Sequence, residues 1–71
     1  MKVEIENETD DVLTIIIEPY CTHYEISPRK IATLIDDMKE CSVVYTSKNI
    51  ISVYASLFSE VFVDGSLIEP V

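Results

Sequence analysis

The stretch TIIIEPYCTHYEIS, residues 14–27, decides the fold class, because two strand-like runs flank a bend within it. The first run is apolar on both faces, as in a central strand that is covered on two sides. Pro19 ends this run, since proline cannot donate a hydrogen bond to a neighbouring strand. After the bend, Tyr24 and Ile26 alternate with polar residues, which is typical of a strand with one wet face. The stretch therefore predicts two strands joined by a polar bend.

The rest of the chain has the composition of strands as well. Its 71 residues suffice for one domain, which we take to span residues 1–71. Valine and isoleucine dominate the apolar residues, and branched side chains suit a pleated, half-buried surface. We therefore predict an all-β fold, namely a small antiparallel sandwich or half-open barrel of six or seven strands.

Alternation and turn residues divide the chain into strands. The expected strands are residues 2–6, 12–18, 22–27, 30–36, 41–46, 49–55 and 60–69, the last split by a turn. That turn is Asp64-Gly65, because glycine between apolar flanks readily adopts a positive φ. We expect the first two strands to pair as an antiparallel hairpin across the acidic residues 8–11.

Residues 28–39 leave a second possibility open. Ser27 could cap a helix with Pro28 at its first position. The apolar residues that follow have helical spacing: Ile31, Leu34, Ile35 and Met38. This alternative makes the class α+β, whereas the extended neighbours on either side favour a strand.

The charge balance limits the partners. Thirteen acidic residues against five basic ones give a net charge of −8, which would repel nucleic acid. A basic protein surface would be attracted. No apolar run is long enough to span a membrane and residues 1–10 contain no apolar core of a signal peptide, so we expect neither a signal peptide nor a membrane partner. We expect a bacterial, cytoplasmic protein with reduced thiols.

Three residues are candidate metal ligands. Cys21 and His23 lie two positions apart on an extended segment, about 7 Å along the strand, and Cys41 could join them in a zinc site. Isolated cysteines are more often small buried apolar residues, so we expect no metal and no cofactor. A Cys21–Cys41 disulfide is a further alternative. No catalytic residue is predicted, because no basic neighbour or helix N-terminus would activate the thiol of the Cys21–His23 pair.

We expect the adjacent acids and one isolated glutamate to have structural roles rather than catalytic or ligand-binding ones. Asp36 and its neighbour Asp37 are expected to be hydrated turn residues. Glu18 follows three isoleucines and precedes a proline, so it is expected to be partly buried. A buried carboxylate needs a donor, and Arg29, Lys30 or a backbone N–H are the candidates.

Aromatic residues could either fill the core or line a groove. The six aromatics are Tyr20, Tyr24, Tyr45, Tyr54, Phe58 and Phe62. A small β core uses such residues for bulk, with the hydroxyls at its rim. As a possible groove or interface we select Glu18, Tyr20, Tyr24 and Tyr54.

The order of these landmarks resembles a family of small uncharacterised bacterial all-β proteins. The residues that carry the resemblance are the Glu18-Pro19-Tyr20 step, the alternating strand ending at Pro28, and the closing Val63-Asp64-Gly65. In that family a Glu-Pro-aromatic step is followed by a turn and a strand, and a V-x-x-D-G-like hairpin ends the chain. Here Arg29-Lys30 stands where the family has a glycine-containing turn. The resemblance implies an all-β fold and no particular chemistry.

The sequence is consistent with three functional hypotheses. The first is a non-enzymatic, acidic protein-interaction module that docks on another protein or on its own copy through exposed sheet edges. The second is a small-ligand or metal-binding domain using Cys21, His23 and Cys41. The third is an acidic inhibitor that mimics nucleic acid, which requires the acids to crowd one surface. Enzyme activity is not expected.

Overall fold

The computed structural model describes all 71 residues, as eight strands and no helix. The strands are β1 (Lys2–Glu6), β2 (Leu13–Glu18), β3 (Thr22–Ile26), β4 (Ile31–Ile35), β5 (Ser42–Ser47), β6 (Ile50–Tyr54), β7 (Glu60–Val63) and β8 (Ser66–Leu67). They form two four-stranded sheets with orders β1-β4-β7-β8 and β3-β2-β6-β5. We call these sheet A and sheet B.

The all-β prediction is confirmed, and the architecture is the sandwich rather than the half-open barrel. The strand count is eight because the turn at Asp64-Gly65 separates β7 from β8, and both turn residues have positive φ. One pairing departs from the antiparallel prediction: β2 runs parallel to β6, with Ile15 opposite Ile51. Sheet B is therefore mixed, while sheet A is antiparallel throughout.

The predicted hairpin between the first two strands is wrong. β1 pairs with β4 in sheet A, whereas β2 lies between β3 and β6 in sheet B. Each of the two strands has an apolar face, represented by Ile5 in β1 and Ile15 in β2, and both residues are buried in the common core. Strands in facing sheets bury such faces against each other, which side-by-side pairing would not achieve.

The helix at 28–39 is also wrong, and the competing strand is confirmed as β4. Ala32 and Leu34 point into the core and are almost fully buried, whereas Ile31 and Ile35 are exposed on the outer face of sheet A. The helical spacing therefore combined residues from two faces of a strand. Pairing with β1 and β7 on either side satisfies the backbone of β4.

The core lies between the two sheets and contains eleven buried apolar residues. Tyr24 is one of them, so it belongs to the core and not to a groove, which corrects its selection as an interface residue. Burial, together with the negative charge of Glu69, raises the pKa of the Tyr24 phenol. The alternation predicted for β1 and β3 is confirmed by the burial of their residues.

Asn7 fixes the passage from sheet A to sheet B. It is 2% exposed, and its amide nitrogen donates to the carbonyls of Asp11, Ile26 and Ser27 at 2.8, 3.1 and 3.2 Å. Its amide oxygen accepts from the backbone N–H and the hydroxyl of Thr9 at 3.1 and 2.7 Å. The side chain thus forms hydrogen bonds with backbone groups of two connections at once. Without these hydrogen bonds, burying the same polar groups would cost free energy.

Residues 68–71 connect the outer strands of the two sheets. The N–H of Ile68 donates to the carbonyl of Val61, and the N–H of Val71 donates to the carbonyl of His23, each at 2.9 Å. The segment therefore covers part of the free edge of β3. The fold offers no helix of the length and apolarity that a membrane crossing requires.

Candidate interaction site at one end of the sandwich

One end of the sandwich is formed by three connections, residues 19–21, 36–41 and 55–59, together with the start of β1. The register shows that these belong together, because Lys2 pairs with Ile35, Ile35 with Glu60, and Glu18 with Tyr54. We call this surface the loop end. It contains most of the predicted interface residues and one buried carboxylate that the sequence did not reveal.

Asp36 organises the loop end. It is 5% exposed, so the expectation of a hydrated turn residue is wrong for Asp36. Its carboxylate accepts from the backbone N–H of Met38 at 2.7 Å and from the backbone N–H of Ser56 at 2.8 Å. The hydroxyl of Ser59 donates to the same carboxylate. The main chain of Asp36 is also bonded to Met1, so that one residue joins three segments.

These hydrogen bonds decide the charge state of Asp36. Burial by itself would raise the pKa of the carboxyl group, because it disfavours the charged form. The donors from Ser59, Met38 and Ser56 outweigh this effect and lower the pKa of Asp36 from 3.8 to about 2. Asp36 is therefore an ionised, fully bonded structural carboxylate at neutral pH.

The turn at residues 56–59 is fixed by this carboxylate and by its own serines. The N–H of Phe58 donates to the hydroxyl oxygen of Ser56 at 3.1 Å, and the hydroxyl oxygen of Ser59, whose hydrogen is directed to Asp36, lies 2.8 Å from the carbonyl oxygen of Ser56. Between the serines, Leu57 is 59% exposed and Phe58 is 80% exposed. Two large apolar side chains are thus held in solvent by a turn whose backbone is tied to the core through Asp36.

Predicted interface residues lie beside this turn. Glu18 and Tyr54 are opposite each other in the β2–β6 pair, and Tyr20 follows in the adjoining connection. Both tyrosines are about half exposed, at 47% and 48%. The carbonyl of Glu18 accepts from the N–H of Ala55 at 3.2 Å, which joins the two connections. The surface forms no enclosed pocket there, so the groove hypothesis is replaced by an open surface.

The Glu18 carboxylate has a donor that was not among the expected candidates, which were Arg29, Lys30 and a backbone N–H. Its carboxylate lies 3.6 Å from the thiol of Cys21, which donates to it. Arg29 instead pairs with Asp10, and Lys30 pairs with Asp64, each at 2.7 Å. Glu18 is half-buried, as expected, at the end of β2.

The three candidate metal ligands do not converge. Cys21 lies in the connection after β2, His23 on the exposed face of β3, and Cys41 just before β5. No group of three histidine, cysteine or acidic side chains has the arrangement of a metal site. Both cysteines are free thiols rather than a disulfide.

Cys41 packs against the core, and its environment favours the neutral thiol. Burial, followed by the negative charge of Asp36, raises the pKa of the Cys41 thiol, and the N-terminal ammonium group opposes this only in part. A raised pKa reduces the fraction of thiolate, which is the nucleophilic form.

The acidic residues are spread over the molecule. Glu4 and Glu6 lie on the outer face of sheet A, Glu25 lies on the outer face of sheet B, and Asp36 is buried. The single crowded surface that nucleic-acid mimicry requires is therefore not formed. At the loop end, acids and bases are mixed: Asp37, Glu40 and Glu60 lie there together with Lys2, Lys39 and the N-terminal ammonium group.

Comparisons of the chain with protein-family models, with curated proteins and with solved structures found no match. The resemblance to the small bacterial β family stays a prediction. The geometry of the loop end is therefore the basis on which a function is inferred below.

The sequence pattern missed Asp36 and the turn that it holds. A signal was present, because Ser56-Leu57-Phe58-Ser59 places two large apolar residues between two serines that can close a turn. The identity of the carboxylate that binds these serines depends on the pairing of β4 with β7, which brings Asp36 next to residues 55–59.

Proposed function

We propose that the protein is a non-enzymatic protein-interaction module that docks on a basic partner protein through its loop end. The observation that carries this proposal is the turn at residues 56–59, which holds Leu57 and Phe58 in solvent on a fixed backbone. Tyr20 and Tyr54 extend the same surface.

A fixed turn favours binding because less conformational freedom is lost on association. Aromatic anchors carry much of the energy of protein interfaces when they enter a pocket of the partner. Phe58 has the required exposure, and the hydrogen bonds of Ser56 and Ser59 to Asp36 hold its backbone in place before the partner arrives. We therefore assign the role of central anchor to Phe58, with Leu57 beside it.

The net charge of the chain specifies the partner's chemistry. The whole chain carries −8, and the exposed acids Asp37, Glu40 and Glu60 are among the charged residues at the loop end. A partner with an apolar pocket and a basic rim would be complementary, and association would weaken with salt. A reducing compartment such as the bacterial cytoplasm fits the proposal, because both cysteines are free thiols.

The test compares two variants of the full chain as immobilised bait in native lysate. Phe58→Ser combined with Leu57→Ser removes the anchors, whereas Val12→Ser removes an apolar side chain of 45% exposure at the opposite end of the sandwich. Quantitative mass spectrometry of retained proteins, at low and at high salt, is the measurement. Circular dichroism verifies that all baits are folded.

The proposal predicts one retained basic protein that binds wild type and Val12→Ser alike, is lost from the double variant, and is released by salt. A second binding experiment with that purified protein should give a dissociation constant raised on the order of 100-fold by the double substitution. Identical retained sets for all three baits, or no retained protein at all, would overturn the proposal.

A further inference from the structure

The four outer strands of the two sheets differ in how their free edges are protected. Unpaired backbone groups at an edge invite pairing with another strand, and natural proteins block this with charges, short strands or covering segments. β1 carries Lys2, Glu4 and Glu6, β8 has only two residues, and β3 is partly covered by residue 71. β5 has none of these three protections, since residues 41–47 contain no charge and no proline, and its edge is interrupted only by a register shift between Tyr45 and Ser47.

β5 also projects beyond sheet A, so that its core-directed side chains are uncovered. Val43 is in register with the fully buried Val53, and residues paired across strands point to the same face. Val43 and Tyr45 therefore point to the inner face of sheet B, yet they are 51% and 69% exposed. Among the strands, only β6 makes extensive contact with β5.

We infer that two copies of the chain associate through β5, as antiparallel neighbours with Val44 opposite its own counterpart. This arrangement has a two-fold axis perpendicular to sheet B and makes one continuous eight-stranded sheet. The contact uses β5 rather than the loop end, so it does not depend on the docking proposed above.

The sequence around Val44 is self-complementary in this register. Val43 of one copy lies opposite Tyr45 of the other, and the reverse pair follows by symmetry, which places an aromatic residue against a β-branched one twice. Beyond the two ends of β5, and past the register shift between Tyr45 and Ser47, Glu40 of one copy comes on the same side of the contact as Lys48 of the other. Neither of these two charged residues forms an ion pair within its own chain.

The charge and area of the surface favour a second copy over a foreign strand. A net charge of −8 on each chain opposes self-association in general, but residues 41–47 are uncharged and the two flanking pairs are attractive. The exposed parts of Val43, Val44 and Tyr45 together offer on the order of 300 Å² per copy, to which the backbone edge adds, and this area is typical of a weak contact. A weak, concentration-dependent dimer is the expected result.

The test is sedimentation velocity of the full chain from about 5 to about 500 μM. Val44→Lys places two ammonium groups opposite each other at the axis and should raise the dimer dissociation constant on the order of 100-fold. Val12→Lys makes the same change in charge at a residue outside β5 that is equally exposed, and it should dimerise like wild type. Both substituted side chains are exposed, and circular dichroism verifies the fold.

Exchanging the charges of Glu40 and Lys48 distinguishes the pairing of two copies from any other contact that β5 could make. Glu40→Lys alone and Lys48→Glu alone each turn two attractive contacts into repulsive ones and should weaken the dimer about ten-fold at low salt. The double variant restores the attraction and should return to within about two-fold of wild type. A mass of 8.1 kDa at every wild-type concentration, equal dimerisation of Val44→Lys and Val12→Lys, or no rescue in the double variant would each overturn the inference.

Discussion

Replacing Asp36 with asparagine keeps the size of the side chain and removes its charge. In the folded protein, that carboxylate accepts from two backbone N–H groups and from the hydroxyl of Ser59. Asparagine offers one acceptor oxygen and one NH2 group with two donors, so its amide nitrogen must face at least one of the groups that donate to Asp36. The substitution therefore removes a charge-assisted interaction and creates a donor–donor conflict in a buried place.

The depressed pKa gives the size of the first effect. The pKa of Asp36 falls from 3.8 to about 2 on folding. This shift corresponds to about 2.5 kcal/mol in favour of the folded state, and the unsatisfied donor adds about 1 kcal/mol. We expect the free energy of unfolding to decrease by roughly 2–4 kcal/mol at pH 7, where the carboxylate is ionised in both states.

The pH dependence has a definite sign. Because the folded-state pKa is depressed, this stabilisation is complete above the unfolded pKa of 3.8 and is lost as the pH falls through that value towards about 2. The asparagine variant has no such contribution to lose. The difference between wild type and variant should therefore be constant from neutral pH to about pH 5 and decrease below it.

Urea denaturation followed by circular dichroism, in steps from pH 7 to pH 3, measures both effects. The midpoint of the Asp36→Asn variant should lie lower by at least about 1 M urea at pH 7. Asp37→Asn is the matched control, because Asp37 is the adjacent, exposed acid, and it should change stability by less than about 0.5 kcal/mol. Equal stability of the two variants, or a wild-type advantage of Asp36 that persists unchanged at pH 3, would refute the reasoning.

Three further outcomes are expected in the same denaturation assay. Asn7→Ala leaves the carbonyls of two connections without their buried donor and should cost about 2–4 kcal/mol, and a loss below about 1 kcal/mol would contradict the role of Asn7 as a clamp. Leu34→Ala, at a residue 2% exposed, should cost about 2–5 kcal/mol, whereas Leu67→Ala, at 51% exposure, should cost little; similar losses would contradict the placement of the core. Gly65→Ala should cost about 1–2 kcal/mol through its φ of +77° alone, because an added Cβ would meet open space there; no measurable loss would argue against the positive φ.

The secondary structure of this chain could be read from its sequence because the relevant signals are local. Alternation in β1 and β3, the Asp64-Gly65 turn and the two residues between β5 and β6 each depend on neighbouring residues only. The strand boundaries agree with the expected ranges to within a residue or two for this reason. The spacing of Ile31, Leu34 and Ile35 supported the wrong alternative, a helix. Residues on the two opposite faces of one strand can have the same spacing as residues on one face of a helix.

Pairing partners and the candidate site could not be derived in this way. The sequence does not state that β1 joins β4 rather than β2, or that β2 lies parallel to β6, because these choices depend on which apolar faces meet across the core. Glu18, Tyr20 and Tyr54 could be selected as surface candidates, but Asp36 and Phe58 gained their roles only when distant segments were brought together.

The sequence by itself determined that this protein is a small acidic β domain, since composition, alternation and turn residues act over a few positions. The tertiary structure decided which carboxylate is buried, which strand edge is unprotected and which aromatic residues face solvent. Burial and edge exposure are properties of the packed sheets, and residues far apart in the chain determine them together. Asp36 and Asp37 illustrate this, because they are identical neighbours in sequence and only one of them reaches the donors of residues 55–59.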